Sequence, residues 1–404
     1  MVKMEELEPL FQELEENYKY LHRHPELGFQ ERMTSEFIME KLTSYGIEGR
    51  KAARTGIIAD IKGTKPGKTV AIRADIDALP IEEKWESEYR SEHAGKMHAC
   101  GHDAHTAMLL GAARYLAGHR EIIQGRVRLI FQPAEEGASM ETMEEMGKEG
   151  GSAKGGAASM IAFGALEGVD ACFALHVNPL YPVGSIYIPR ERFAASSDIF
   201  EIKIQGKGGH GSAPENAVDP TGALAALISA VNAFPARELS ALSSCSLSIG
   251  TIRSGEAWNA IPDSAVITGG LRTFSNETRN FVFSRLEEIA DGICRAHRCS
   301  AQVTRIEGYA PAVNSVEISS KMMETAEMCF GEENAVALEE PMMGSEDAGY
   351  YFQEVPGGMG WLGAMPEDEP AALHNPGFHI SLKTLPYGSL FHINMALNYL
   401  NTMD

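Results

Sequence analysis

The sequence predicts an α/β architecture, a mixed and largely parallel sheet flanked by helices, interrupted by a smaller α+β insert of ferredoxin-like order. Three observations lead there. The 404 residues exceed what one compact core comfortably fills, which favours two domains. Short β-rich runs alternate with helical stretches through the first part of the chain. At DIFEIKIQG (198–206) the pattern changes to strict apolar/polar alternation, the mark of a half-exposed antiparallel strand.

In chain order, Leu7, Leu10, Phe11, Leu14, Tyr18 and Leu21 recur at helical spacing, with Pro9 placed in the first turn. A second helix, about 31–45, stops at Gly46. Strands follow at 56–63, 69–75, 126–133 and 171–177, with helices at about 104–117 and 159–166 between them. The insert reads as strand 198–206, helix 219–233, strands near 245–252 and 264–274, helix 276–296 and strand 301–307. The α/β style then resumes with a helix at 315–330, a strand at 358–363 and a helix at 386–400. The expected domains are therefore 1–189 with 307–404, and an inserted lid at 190–306. The Gly-, Glu- and Met-rich stretch 137–159 reads as a mobile surface loop or as a flap beside the acidic pair that precedes it.

Charge and cysteines narrow the function classes. Lys plus Arg total 35 against 56 Asp plus Glu, a net charge of −21. This disfavours nucleic acid and anionic membrane surfaces as partners, since both demand basic patches. No stretch approaches the roughly 20 apolar residues of a membrane span, and the acidic, amphipathic start lacks the form of a signal peptide. Six scattered cysteines read as thiols or ligands in a reducing compartment. A cytoplasmic location is the expectation. There is no GxSxG elbow, and GKEGGSAKGG (147–156) lacks the P-loop pattern.

The densest chemistry lies in MHACGHDAHT (97–106). Cys100 and His102, two apart, both face one point if the backbone is extended, and thiolate with imidazole suits zinc and similar ions. Alone, the segment also fits a polar network at a helix start. IFQPAEEG puts Glu135 and Glu136 at a strand's carboxyl end, where open α/β sheets place their ligand sites. These are an exposed acidic pair or, beside a metal, one ligand and one general base. His176 ends a third strand, and His374 sits in a Pro-Gly turn. Each is weak singly; the four places together are more specific. CRAHRC (294–299) ends a helix with no fourth ligand nearby and reads as packing.

LHRHPELGFQE (21–31), RADIDALPIEE (73–83), MHACGHDAHT, FQPAEEG, GGHGSAPE (208–215), NAIP (259–262), GSEDAGYY (344–351) and LHNPGF (373–378) occur in this order. The series resembles the aminoacylase/carboxypeptidase family of co-catalytic metallopeptidases. It sits closest to the branch of hippurate hydrolases, auxin-conjugate hydrolases and N-acyl-amino-acid amidohydrolases. The resemblance implies a metal-dependent exopeptidase-like fold and hydrolysis of N-acyl amino acids; a metallo-dipeptidase or carboxypeptidase and a catalytically silent relative are the alternatives. It implies two divalent ions (zinc, manganese, nickel or cobalt) held by Cys100, His102, Glu136, His176 and His374, with Cys100 bridging. Glu135 becomes the general base toward water and then the proton donor to the leaving amine. Asp77 orients a neighbouring ligand, with Asp75 and His105 in support. His210 stabilises the oxyanion, often across a dimer interface, and Asn259 and Arg272 hold the substrate's carboxylate. A homodimer formed through the lid, or a higher homo-oligomer, follows from the same likeness. The chain departs from the family in its extended 137–159 segment and in His379-Ile380-Ser381-Leu382, where acidic residues are common.

Overall fold

The computed structural model describes residues 1–401. They divide into two units, 1–193 with 313–341 and 347–401, and 194–312 with 342–346. The second unit thus carries the short segment 342–346 in addition to an insert, against an expected single stretch of 190–306.

The first unit is built on an eight-stranded sheet. Its central strands Lys65–Asp75, Gln124–Gln132, Ala171–Asn178 and Gly357–Gly363 run parallel. Ala171–Asn178 and Gly357–Gly363 are buried almost throughout, so they read as continuous apolar or glycine runs and not as alternating ones. The helices Phe11–Arg23, His102–Gly118, Val316–Phe330 and Thr384–Leu400 supply residues to the same apolar core. The sheet is more mixed than the sequence predicts. Gly49–Ala52, an unpredicted strand, pairs antiparallel with Gly56–Lys62, which itself runs antiparallel to Gln124–Gln132. Only Ala53, Arg54 and Thr55 join the first two, with φ of 48° at Ala53 and 66° at Arg54. So short a link permits a hairpin and excludes a parallel crossover.

The stretch 137–159, read from sequence as a loop, contains a helix, Met140–Lys148, capped by Ser139 Oγ accepting from the Thr142 N–H. Met146 is its buried residue. Its flanking glycines obscure this helix in the sequence. Departure and return are close together: the N–H groups of Gly137 and Gly156 both donate to the Ala134 carbonyl, at 3.3 and 3.2 Å.

The second unit is a four-stranded antiparallel sheet with strand order Cys245–Ser254, Ser264–Thr273, Asp198–Gln205, Ser300–Ile306. Helices Pro220–Ala233 and Asn276–Ala296, capped by Asp219 and Ser275, cover one face. Asp198–Gln205 alternates buried and more exposed residues as its sequence pattern demands. No helix among the described residues is long and apolar enough to cross a membrane.

Candidate metal centre

The parallel strands set the site. Lys65–Asp75, Gln124–Gln132 and Ala171–Asn178 finish at one edge of the sheet, so Asp75 and Asp77, Glu135 and Glu136, and His176 come together there. Helix His102–Gly118 begins at the same place. Its N-terminal neighbour Gly101 has φ +85°, and a Cβ there would meet Val177 Cγ2 at 2.3 Å. Only glycine fits the turn that sets Cys100 beside the helix start.

All five predicted ligands lie in this cluster. Cys100 Sγ is 3.4 Å from His176 Nε2 and 3.3 Å from His374 Nε2. His374 Nε2 is 2.9 Å from Glu136 Oε1. Donor atoms of Cys100, His102 and His176 lie within 4.8 Å of one another, as do those of Cys100, Glu136 and His374, and of His102, Glu135 and Glu136. Cys100 belongs to two of these groups and His102 and Glu136 each to two. The opposite ring nitrogens are tied back, His102 Nδ1 to Asp77 (3.0 Å to the carbonyl, 3.2 Å to Oδ1) and His176 Nδ1 to the Val177 carbonyl at 2.8 Å. The Nε2 atoms therefore face the cluster, the usual orientation for metal-binding imidazoles. His374, with a half-exposed side chain (51%), marks its open side.

The donor chemistry fits divalent cations. His102 Nε2 is buried without a hydrogen-bond partner among the described residues; it lies 3.7 Å from Asp75 Oδ2 and 4.0 Å from Glu135 Oε2. Burial opposes charge on this ring, yet Asp75, Asp77 and Glu136 outweigh it and raise its pKa to about 10. Burial, then Glu136 and Glu135, hold the Cys100 thiol well above its ordinary value. Thiol, imidazoles and carboxylates thus surround a point short of positive charge, and a bound cation inverts that balance.

Asp77 does more than orient His102. Its Oδ2 also accepts the Glu136 N–H at 2.9 Å. His105 donates through Nδ1 to Asp75 Oδ1 at 2.5 Å and accepts the Val177 N–H at Nε2, 2.9 Å.

Several contributors carry no signal strong enough to be picked from sequence alone. Arg73, fully buried, bridges Asp75 (2.6 Å), Gln132 (2.9 Å) and Asp347 (3.1 Å). The Asp347 N–H points to Glu135 Oε1 at 3.4 Å. Glu31 accepts the Ala134 N–H at 2.9 Å; burial and then the Asp77 carboxylate raise its pKa to about 8. All three sit inside the quoted motifs RADIDALP, GSEDAGYY and LHRHPELGFQE, which mark the segments without singling out these positions.

His210, Asn259 and Arg272 lie in the second unit. His210 pairs with Ala260, and the Gly211 N–H donates to the Asn259 carbonyl at 2.9 Å, so the first two adjoin. His210 Nδ1 faces the Ser212 N–H at 3.1 Å and Ser212 Oγ at 2.8 Å. A backbone N–H only donates, so Nδ1 is the acceptor and Nε2 carries the proton. Arg272 Nη1 donates to the Met343 carbonyl at 3.2 Å.

The chain is similar to known proteins along most of its length. The profile of Peptidase family M20/M25/M40 matches residues 71–398. The chain is 39% identical to "IAA-amino acid hydrolase ILR1-like 2" of Arabidopsis thaliana, over 94% of this chain and 83% of that protein. It is 36% identical to the N-acetyl-L-cysteine deacetylase of Bacillus subtilis (strain 168), over 96% and 88%. Among solved structures it resembles Bacillus subtilis YXEP, described as a dinuclear metal binding peptidase from the M20 family, with TM-score 0.80, 32% identity and 98% and 99% coverage. Sequence, sheet topology and the cluster at its edge agree: this chain belongs to peptidase family M20/M25/M40.

Proposed function

We propose that the chain is a metal-dependent amidohydrolase that cleaves N-acyl amino acids to a carboxylic acid and a free amino acid. The observation that carries this is the convergence of Cys100, His102, Glu136, His176 and His374, with the Glu135 carboxylate, next to Glu136, in the same cluster. The hydrolase and deacetylase relatives support the substrate class. A thiolate among imidazole and carboxylate donors suits borderline ions, which fits two of zinc, manganese, nickel or cobalt. Such ions polarise a carbonyl and lower the pKa of the attacking water.

The chain's own residues do the rest. Glu135 takes the proton of the attacking water and returns it to the leaving nitrogen. Asp77 fixes His102 and, through the Glu136 N–H, the turn that bears the base. His210, with its proton on Nε2, donates to the oxyanion. Arg272 and Asn259 receive the substrate's carboxylate, for which a guanidinium offers a paired fork.

A homodimer through the second unit completes the reading. Strand Cys245–Ser254 lies at the sheet's edge, and Trp258 is 97% exposed. Open edges and bare aromatics of this kind favour association. Light scattering checks it: a monomer at micromolar concentration rules it out.

The deciding experiment assays metal-reconstituted protein against N-acyl amino acids, dipeptides and esters, with and without a chelator. Turnover of the acyl amino acids, lost on chelation and restored by metal, is the expected result. Turnover indifferent to chelation sinks the reading, and a preference for dipeptides moves it to a peptidase.

A further inference from the structure

The base and its neighbouring ligand stand on the turn Pro133–Gly137, which has an unusual backbone. Ala134 adopts φ +51°, a region that residues with a Cβ avoid. Such a conformation persists only where its surroundings enforce it.

The enforcement comes from a segment far away in sequence. Glu31 is completely buried, and its Oε1 accepts the Ala134 N–H at 2.9 Å. Its Oε2 accepts from Thr55 Oγ1 at 2.5 Å, in the hairpin turn that carries Ala53 and Arg54. The backbone of Glu31 is held in turn, because its carbonyl receives the Ser35 N–H at 2.9 Å, in the first turn of helix Arg32–Ser44. Gly28 packs against the other end of the turn, where a Cβ would sit 2.2 Å from the Gly137 carbonyl oxygen. On the far side, Asp77 accepts the Glu136 N–H. Two buried carboxyl groups thus grip the N–H groups on either side of Glu135.

We infer that Glu31 is a positioning residue: its grip on the Ala134 N–H enforces the left-handed turn that aims Glu135 and Glu136 into the cluster. This rests on the roles proposed for those two glutamates. Glu31 is not among the donor residues of the cluster, so its loss is expected to act on geometry at the reacting centre and not on substrate binding. Glutamine preserves the shape, since its Oε1 accepts from Ala134 and its Nε2 donates to Thr55 Oγ1.

The test compares Glu31→Ala, Glu31→Gln, Thr55→Val and Glu135→Gln in the metal-reconstituted protein. Steady-state kinetics are paired with calorimetric titration of Co²⁺ into the metal-free chain. Glu31→Ala should lower kcat about 10–100-fold with KM within about twofold, and weaken Co²⁺ binding by about 10–100-fold, the range seen when partners of metal ligands are removed. Glu31→Gln should recover most of both. Should Glu31→Ala fail to fold, Thr55→Val decides: a fall in kcat and in Co²⁺ affinity at unchanged thermal midpoint supports the inference, and wild-type values overturn it. Glu31→Ala with wild-type kcat and Co²⁺ affinity also overturns it, as does Glu31→Gln impaired as deeply as alanine. If Glu135→Gln is inactive while Glu31→Ala is normal, only this inference fails; if Glu135→Gln is fully active, the reading of the site fails instead.

Discussion

The residues assigned to chemistry divide between two regions of opposite character. In the first unit, His102, Asp75, Asp77, His176 and Glu135 are buried, and nearly every polar atom is tied to another residue. In the second, His210 and Asn259 are exposed, and among the described residues the His210 ring has Ser212 as its side-chain partner. A buried cluster is shaped before anything binds, with its orientation already fixed by neighbouring bonds. An exposed imidazole in water gains little from electrostatics; its hydrogen bond strengthens only when something covers it. On the roles proposed above, one set of groups is held in place by its own bonds and the other is not.

The largest test of that contrast is Glu135→Gln. It should lower kcat by about 10²–10⁴-fold, the range for a lost general base, while the thermal midpoint stays within a degree or two. A variant retaining full turnover removes the preformed half from the mechanism.

His22 sharpens the contrast on stability. Its ring is completely buried between Asp103 Oδ2 (2.6 Å) and Glu83 Oε1 (3.2 Å). Burial disfavours its charged form, but the two carboxylates outweigh this and raise its pKa to about 9. His22→Ala strands two buried carboxylates and should cost about 3–5 kcal/mol in urea unfolding. Because the folded pKa lies above the unfolded value near 6.5, the contribution is complete below about pH 6.5 and fades as pH rises through about 9. The gap between wild type and variant should narrow accordingly, and a gap that widens toward pH 10 contradicts the assignment.

His210→Ala should reduce kcat by about 10²–10³-fold, as for a lost oxyanion donor, with no change in thermal midpoint because the ring is exposed. Smallest of all, Ser212→Ala should cost less than about tenfold. The Ser212 N–H still faces Nδ1 and keeps the proton on Nε2. A Ser212→Ala variant as slow as His210→Ala shows instead that the hydroxyl itself is needed.

Much of this was legible in the chain because strand ends and helix starts leave local marks. Glu135 and Glu136 follow an apolar run broken by Pro133, and Cys100 and His102 straddle a glycine before a helix. The insert announced itself through the period-two pattern of 198–206. What escaped was held by long-range geometry. Arg73 and Asp347 meet across 274 residues, and nothing local in either segment encodes the pairing. The left-handed turn at Ala134 escaped too, since alanine gives no hint of positive φ and its cause is Glu31. Gly49–Ala52 escaped because an edge strand of Gly, Arg, Lys and Ala has no apolar face to betray it.

The shared carbonyl at Ala134, which receives both Gly137 and Gly156, has a consequence for how this protein can change. A segment that leaves and rejoins the scaffold at one atom is a cassette. Its length alters the entropy of closing a loop, which grows only slowly with size, and leaves the spacing of the two glutamates untouched. Residues 138–155 are therefore where the chain can gain, lose or exchange material over its active edge without refolding the machinery beneath.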